Sequence, residues 1–190
     1  MTIETAYAHR SGNYGLIRGG QVHHSDWDKG QVKALRDMYP SIPESFVAGG
    51  IDAAYAHPSG SYGFIRGNQV HHTDWGTGVT KTLAEMYPNI PDSFRNGVDA
   101  AYAHPDGDYG LIKGGQVHHS DWDRGQVKAL RDMYPSIPES FVAGGIDAAY
   151  AHPKGSYGFI RGNQVHHSDW ATNATKTLAE MYPNIPSAWQ

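Results

Sequence analysis

Residues 51–75, IDAAYAHPSGSYGFIRGNQVHHTDW, carry the reading that decides the fold. Ile51 to His57 follow Gly49-Gly50 and stop at Pro58, which predicts a short strand. Pro58-Ser59-Gly60-Ser61 reads as a turn, with Gly60 free to take positive φ. Tyr62 to Arg66 predicts a second strand, Gly67-Asn68 a tight hairpin turn, and Gln69 to Trp75 a third strand. Alternation along that third strand puts Val70, His72 and Asp74 on one side and Gln69, His71, Thr73 and Trp75 on the other. Beyond it, Val79, Leu83, Met86 and Tyr87 recur at helical spacing, predicting one short amphipathic helix that Tyr87-Pro88 ends.

The same order occurs four times. The segment AYAH closes at His9, His57, His104 and His152, which lie 47 or 48 residues apart. Three strands, a helix and a proline-rich return cannot bury both faces alone, so each copy must pack on its neighbours. Four such blades close into a ring and remove the ends that a linear array would have to cap. The expected architecture is all-β with short helices: a four-bladed β-propeller in a single domain over residues 1–190, with blades at approximately 1–49, 50–96, 97–144 and 145–190. Residues 1–95 align with 96–190 without a gap and agree at about four positions in five. Blades one and three share GGQVHHSDWDxGQVKALRDMYPSIPESF; blades two and four share GNQVHHxDW and KTLAEMYPNIP. The ring therefore reads as a duplicated two-blade unit, and ligand sites should come as two similar pairs.

Composition narrows the function. Net charge is −4 and the 15 Lys and Arg are scattered, which argues against nucleic acid as a partner, because phosphate contacts need a concentrated basic surface. The chain has no cysteine, which excludes disulfides, thiolate metal sites and cysteine nucleophiles. No apolar run approaches a membrane span, so membrane insertion is not expected. The opening MTIETAYAHR has neither a basic n-region nor an apolar h-region. The expectation is a soluble protein, cytoplasmic or secreted after signal removal, with a homodimer left open.

At these residues the sequence resembles the hemopexin-like family over Ile3 to Trp189. The resemblance rests on Asp52-Ala53-Ala54-Tyr55, Asp99-Ala100-Ala101-Tyr102 and Asp147-Ala148-Ala149-Tyr150. It extends to strands such as Tyr109-Gly110-Leu111-Ile112-Lys113-Gly114 and to the Tyr-Pro-x-Ile-Pro exits. Blade one departs with Glu4-Thr5-Ala6-Tyr7, and the third strand departs in every blade with Val-His-His. Freestanding domains of this kind are similar to plant seed albumins, for which haem and polyamine binding are described. The resemblance implies a central channel holding a cation (calcium or sodium) with chloride nearby. The ion would sit mainly on backbone carbonyls, with Glu4, Asp52, Asp99 and Asp147 around it. It also implies that first and last blades must close without the disulfide some members use, with Trp189 contributing.

The distinctive chemistry lies in the His-His-x-Asp-Trp strands: His23, His24, Asp26 and Trp27; His71, His72, Asp74 and Trp75; His118, His119, Asp121 and Trp122; His166, His167, Asp169 and Trp170. As binding residues they offer an aromatic face, a carboxylate and imidazoles, which suit a sugar's rings and hydroxyls. As structural residues the histidines would be buried, neutral partners of the aspartates, and the tryptophans would plug helix against sheet. A histidine pair cannot chelate one metal by itself, since adjacent strand residues point apart. The same geometry separates Ser25, Thr73, Ser120 and Ser168 from the histidines beside them, and each candidate recurs once per blade, so catalysis is not expected. The leading expectation is a non-enzymatic multivalent binder, a lectin for a glycan or amino sugar at sites between blades. The alternatives are haem, metal-ion or polyamine binding at the central channel, and a protein-interaction scaffold.

Overall fold

The computed structural model describes residues 3–190; Met1 and Thr2 of the first blade lie outside the described residues. It contains four antiparallel sheets, each of four strands in simple meander order. The first is β1 (Thr5–Ala8), β2 (Tyr14–Arg18), β3 (Gln21–His24) and β4 (Lys33–Ala34). The second is β5 (Ala53–Ala56), β6 (Tyr62–Arg66), β7 (Gln69–His72) and β8 (Lys81–Thr82). The third is β9 (Ala100–Ala103), β10 (Tyr109–Lys113), β11 (Gln116–His119) and β12 (Lys128–Ala129). The fourth is β13 (Ala148–Ala151), β14 (Tyr157–Arg161), β15 (Gln164–His167) and β16 (Lys176–Thr177). The innermost strands stand side by side in the cyclic order β1, β5, β9, β13 and back to β1, so the four sheets form a ring about an axis.

Three of the inner strands are Ala-Ala-Tyr-Ala, and β1 is Thr-Ala-Tyr-Ala, because the axis is crowded. Small side chains let four strands approach, and Tyr7, Tyr55, Tyr102 and Tyr150 carry the bulk into the blade interiors, all essentially buried. Each tyrosine pairs across the ladder with a glycine: Tyr7 with Gly15, Tyr55 with Gly63, Tyr102 with Gly110, Tyr150 with Gly158. The ring lies over that glycine and fills the space a side chain would take, so any Cβ there would sit 2.0–2.2 Å from the ring. Hairpins between second and third strands turn on two residues. In the first blade Gly19 and Gly20 both take positive φ, 56° and 70°, as a type I′ turn demands.

Two expectations need correction. The helix expected from Val79 to Tyr87 is cut to α3 (Leu83–Met86), because Lys81–Thr82 pairs with β7 as a fourth strand. Its three counterparts, α1 (Leu35–Met38), α4 (Leu130–Met133) and α6 (Leu178–Met181), are equally short. Val79 is 47% exposed on the loop, where its carbonyl accepts a hydrogen bond from His71 Nδ1 (2.7 Å) rather than its side chain joining the core. Secondly, the third strand stops at the second histidine. Trp75 N–H donates back to the His72 carbonyl (3.0 Å), and this turn breaks the alternation expected as far as Trp75.

Closure without a disulfide uses the same contacts as every other junction. Gly30 N–H donates to Asn184 O, as Gly78 does to Ser41 O, Gly125 to Asn89 O and Asn173 to Ser136 O (2.8–2.9 Å). Arg18 reaches the Ala188 carbonyl, and Trp189 is buried with Ile3, Ala6, Ala8 and Leu16 in a cluster shared by first and last blades. The duplication shows in the junctions. After the first and third blades the return forms α2 (Glu44–Gly49) and α5 (Glu139–Gly144); after the second and fourth it is a single 3₁₀ turn.

Candidate functional site between the blades

The first histidine of each pair is structural. His23, His71, His118 and His166 have no solvent exposure, and each Nδ1 lies 2.7 Å from the carbonyl eight residues on: Gln31, Val79, Gln126 and Ala174. A carbonyl only accepts, so Nδ1 carries the proton and Nε2 is the acceptor. At two junctions a serine answers it, Ser41 Oγ to His71 and Ser136 Oγ to His166 (both 3.0 Å). At the other two, asparagine replaces the serine and turns its amide to a backbone carbonyl, Asn89 to Trp122 O (3.0 Å) and Asn184 to Ser25 O (3.4 Å). His23 Nε2 and His118 Nε2 are then buried without a partner. Asn184→Ser should therefore stabilise the fold by about 1 kcal/mol, the usual worth of satisfying such an acceptor. Urea unfolding should show a higher midpoint at unchanged slope, and a lower midpoint would reject this account.

The second histidine of each pair belongs to a column running outward through the blade. Tyr39 and Tyr7 hydroxyls lie 2.5 Å apart, and Tyr7 Oη lies 3.1 Å from His24 Nε2. Trp27 stacks on His24 at 4.4 Å, and the Lys33 ammonium lies over Trp27 at 5.1 Å. The column repeats as Tyr87–Tyr55–His72–Trp75–Lys81 and its equivalents in the third and fourth blades. Trp75 thus packs on His72 rather than sharing a face with His71. The expected histidine–aspartate bonds are replaced by these hydroxyl and carbonyl partners; only His72 Nδ1 comes within 3.9 Å of its aspartate, Asp74. Asp26, Asp74, Asp121 and Asp169 are exposed. The hydroxyls of Ser25, Thr73, Ser120 and Ser168 accept from the amides of Tyr14, Tyr62, Tyr109 and Tyr157 (2.9–3.0 Å), so they serve the strand ladder.

The opening acids also have local work. Glu4, Asp52, Asp99 and Asp147 accept from the hairpin amides of Gly19, Gly67, Gly114 and Gly162 of the same blade (2.6–2.8 Å), and Glu4 also accepts from the Ile51 amide of the next blade (3.5 Å). They rim a 720 Å³ depression at one mouth of the axis. Further in, Tyr7, Ala8 and their equivalents close the channel too tightly for a water molecule. The other mouth is a 240 Å³ hollow lined by His9, Arg10, His104 and three prolines, among others. Among the described residues no three His, Asp or Glu side chains meet in a metal-binding arrangement.

What the junctions do differ in is the strand-one histidine. His9 and His104 turn Nδ1 to the hydroxyls of Tyr62 and Tyr157 on the next blade (both 2.8 Å), which seals those junctions. At the junctions of blade two with three and four with one, the pair stays open. His152 Nδ1 instead accepts from the Lys154 amide, and His57 Nδ1 from the Ser59 amide (both 3.1 Å). Accepting at Nδ1 places the proton on Nε2, where the neutral ring is a donor. Burial, then the Lys154 ammonium, hold His152 below its ordinary range, which keeps it neutral near pH 7.

At the four–one junction this leaves a pocket of 360 Å³ lined by Tyr14, His152, Lys154, Gly155, Ser156, His167, Ser168 and Asp169. Tyr14 is its aromatic wall, packed on Tyr150 (4.9 Å) and Tyr182 (5.3 Å), with His152 5.9 Å away. The two–three junction repeats the arrangement with Tyr109 against Tyr55 (4.9 Å), Tyr87 (5.2 Å) and His57 (5.7 Å). The alternation follows a residue two places after the tyrosine: Phe64 and Phe159 at sealed junctions, Leu16 and Leu111 at open ones. Of the residues singled out from sequence as ligand-binding, His167 and Asp169 line this pocket, while His166 and Trp170 do not. Tyr14, Lys154 and Ser156 were missed. The legible signal was divergence: Ser59 against Lys154 and Asn13 against Asp108 are among the few differences between the halves, and they fall on these loops.

This ring of four meandering sheets matches a crystal structure of a hemopexin fold protein, CP4, from cow pea. The TM-score is 0.76 at 18% identity, covering 95% of each chain. The chain has a hemopexin fold. A 2S albumin seed protein from Dolichos shares it at TM-score 0.76 and 19% identity, over 96% of this chain and 97% of that one. A plant albumin from Cicer arietinum showing hemagglutination does so at 0.74 and 18%, over 97% and 96%. No protein-family model matches the sequence, and no curated protein is similar to it. Within this hemopexin fold the sealed and open junctions alternate, so the two open junctions stand across the ring from one another. No helix among the described residues is long and apolar enough to cross a membrane.

Proposed function

We propose that this protein is a non-enzymatic binding protein, a lectin that takes a glycan or amino sugar in the two open pockets between blades. The observation that carries this reading is the four–one pocket itself. It presents an aromatic wall (Tyr14), a fixed donor (His152 Nε2–H), a serine (Ser156) and an exposed carboxylate (Asp169), the set a pyranose ring and its hydroxyls require. Two such sites on one rigid ring favour a repetitive ligand through avidity. Two structural neighbours from Cicer arietinum point the same way, one described as a plant lectin with two metal binding sites and the other as showing hemagglutination. A protein scaffold is supported less, because Val79 is the one large apolar side chain exposed among the described residues.

The ion implied by the fold, calcium or sodium with chloride, is proposed at the wide mouth of the axis, since the channel further in is too tight for a water molecule. Each inner strand has one unpaired edge, and these edges face inward, so backbone carbonyls rather than the amide-bound carboxylates would hold it. Glycan-array screening followed by calorimetry tests the lectin reading. Binding with a stoichiometry near two is the expected result, and no sugar bound at millimolar concentration would overturn it.

A further inference from the structure

The two open junctions are copies whose scaffolds match and whose charges do not. At the four–one junction the loop after His152 carries Lys154, and the facing loop of blade one reads Arg10-Ser11-Gly12-Asn13. At the two–three junction the equivalent of Lys154 is Ser59, and the facing loop reads Pro105-Asp106-Gly107-Asp108. One junction therefore sets a lysine beside an aspartate, Asp169, and the other keeps the aspartate, Asp74, with a serine in place of the lysine.

We propose that the four–one pocket is selective for a carboxylate-bearing sugar, a uronic acid unit, and that its two–three counterpart is not. The inference rests on the lectin reading and names the ligand class for one of its two sites. Lys154 and the Nε2–H of His152 are donors on the same wall, since the His152 ring is fixed through Nδ1 by the amide of Lys154 itself. His152 Nε2 points across to blade one, 3.5 Å from where a Cβ on Gly12 would stand, so this donor faces the gap between blades. A sugar carboxylate placed there receives two hydrogen bonds, one of them charge-assisted. Asp169 also lines the pocket, and its carboxylate repels the ligand's. That fixes the orientation: the acid group lies on Lys154 and the ring hydroxyls donate to Asp169, over the face of Tyr14. At the two–three junction Asp74 repeats Asp169 with Ser59 where Lys154 stands, which disfavours an acid.

The test compares galacturonate and glucuronate with galactose and glucose by saturation-transfer NMR and calorimetry near neutral pH and low salt. It uses the wild-type protein, Lys154→Ser and Ser59→Lys. Both substitutions copy the residue found at the equivalent position of the other half, so the fold tolerates each. An acidic sugar should bind about tenfold tighter than its neutral counterpart at one site, the equivalent of one charge-assisted bond. Lys154→Ser should erase that preference, and added salt should weaken only the acidic ligand. Equal binding of acidic and neutral sugars, or a preference that survives Lys154→Ser, would overturn the selectivity and leave the lectin reading standing. If neither class binds, both readings fall together.

Discussion

Lowering the pH from 7 to 4 is expected to unfold this protein, with most of the loss between pH 6.5 and 4. His24, His72, His119 and His167 are held down to about 4, first by burial; neighbouring histidines and lysines add to this, and the nearby aspartates oppose it. Five more, His9, His71, His104, His152 and His166, shift in the same direction, again first by burial. In the unfolded chain a histidine titrates near its ordinary value of about 6.5. Within the window the unfolded state therefore binds more protons than the native one, and stability rises with pH. The contribution is complete above pH 6.5 and is lost as the pH falls through 4. Each proton taken up on unfolding is worth about 1.4 kcal/mol per pH unit, so even a few groups can exhaust a typical domain stability. The structural consequence is local. A protonated His72 must bury a charge between Trp75 and the hydroxyl of Tyr55. Urea unfolding at half-unit pH steps checks this, and a flat stability between pH 7 and 5 would contradict it.

Gly63→Ala is expected to cost at least about 3 kcal/mol, within the range for disrupting a buried aromatic. The added methyl would stand 2.2 Å from the ring of Tyr55. That ring cannot swing aside, because its hydroxyl is held between Tyr87 (2.5 Å) and His72 (2.7 Å). Displacing it breaks a buried relay as well as the packing. For a chain of this length the melting temperature should fall by about 10 °C. Gly76→Ala is the control, since Ala171 stands at the equivalent position of the other half and the nearest atom is the end of the Val79 side chain at 3.2 Å. If the two substitutions cost the same, the tyrosine–glycine pairing is not what holds the blade.

The sequence by itself determined the ring. Four copies of a strand–turn–strand–turn–strand order, each too small to bury its own faces, leave little choice but mutual packing. Tyr62–Arg66 and the Gly67–Asn68 turn lie where alternation and turn chemistry put them. The doubling was equally legible, because Ser41 and Ser136 against Asn89 and Asn184 mark two kinds of junction. These signals are local: strand period, turn residues and repeat spacing act over a few residues and survive any packing.

The tertiary structure alone decided what the histidines do. Adjacent positions in four near-identical strands gave no sign that one ring would bond a loop carbonyl while the next received a hydroxyl from a tyrosine seventeen residues earlier. Nor did alternation foresee Trp75 folding back over His72, since a single turn after the strand reverses which face it meets. The pocket is the clearest case. His57 and His152 bond within their own loops where His9 and His104 bond to the next blade, although all four end the same AYAH segment. The difference lies in the tyrosine of the next blade, 53 residues away along the chain for His9 and His104. Which histidine faces solvent with a fixed donor is set where two blades meet, and no pattern within one blade records it.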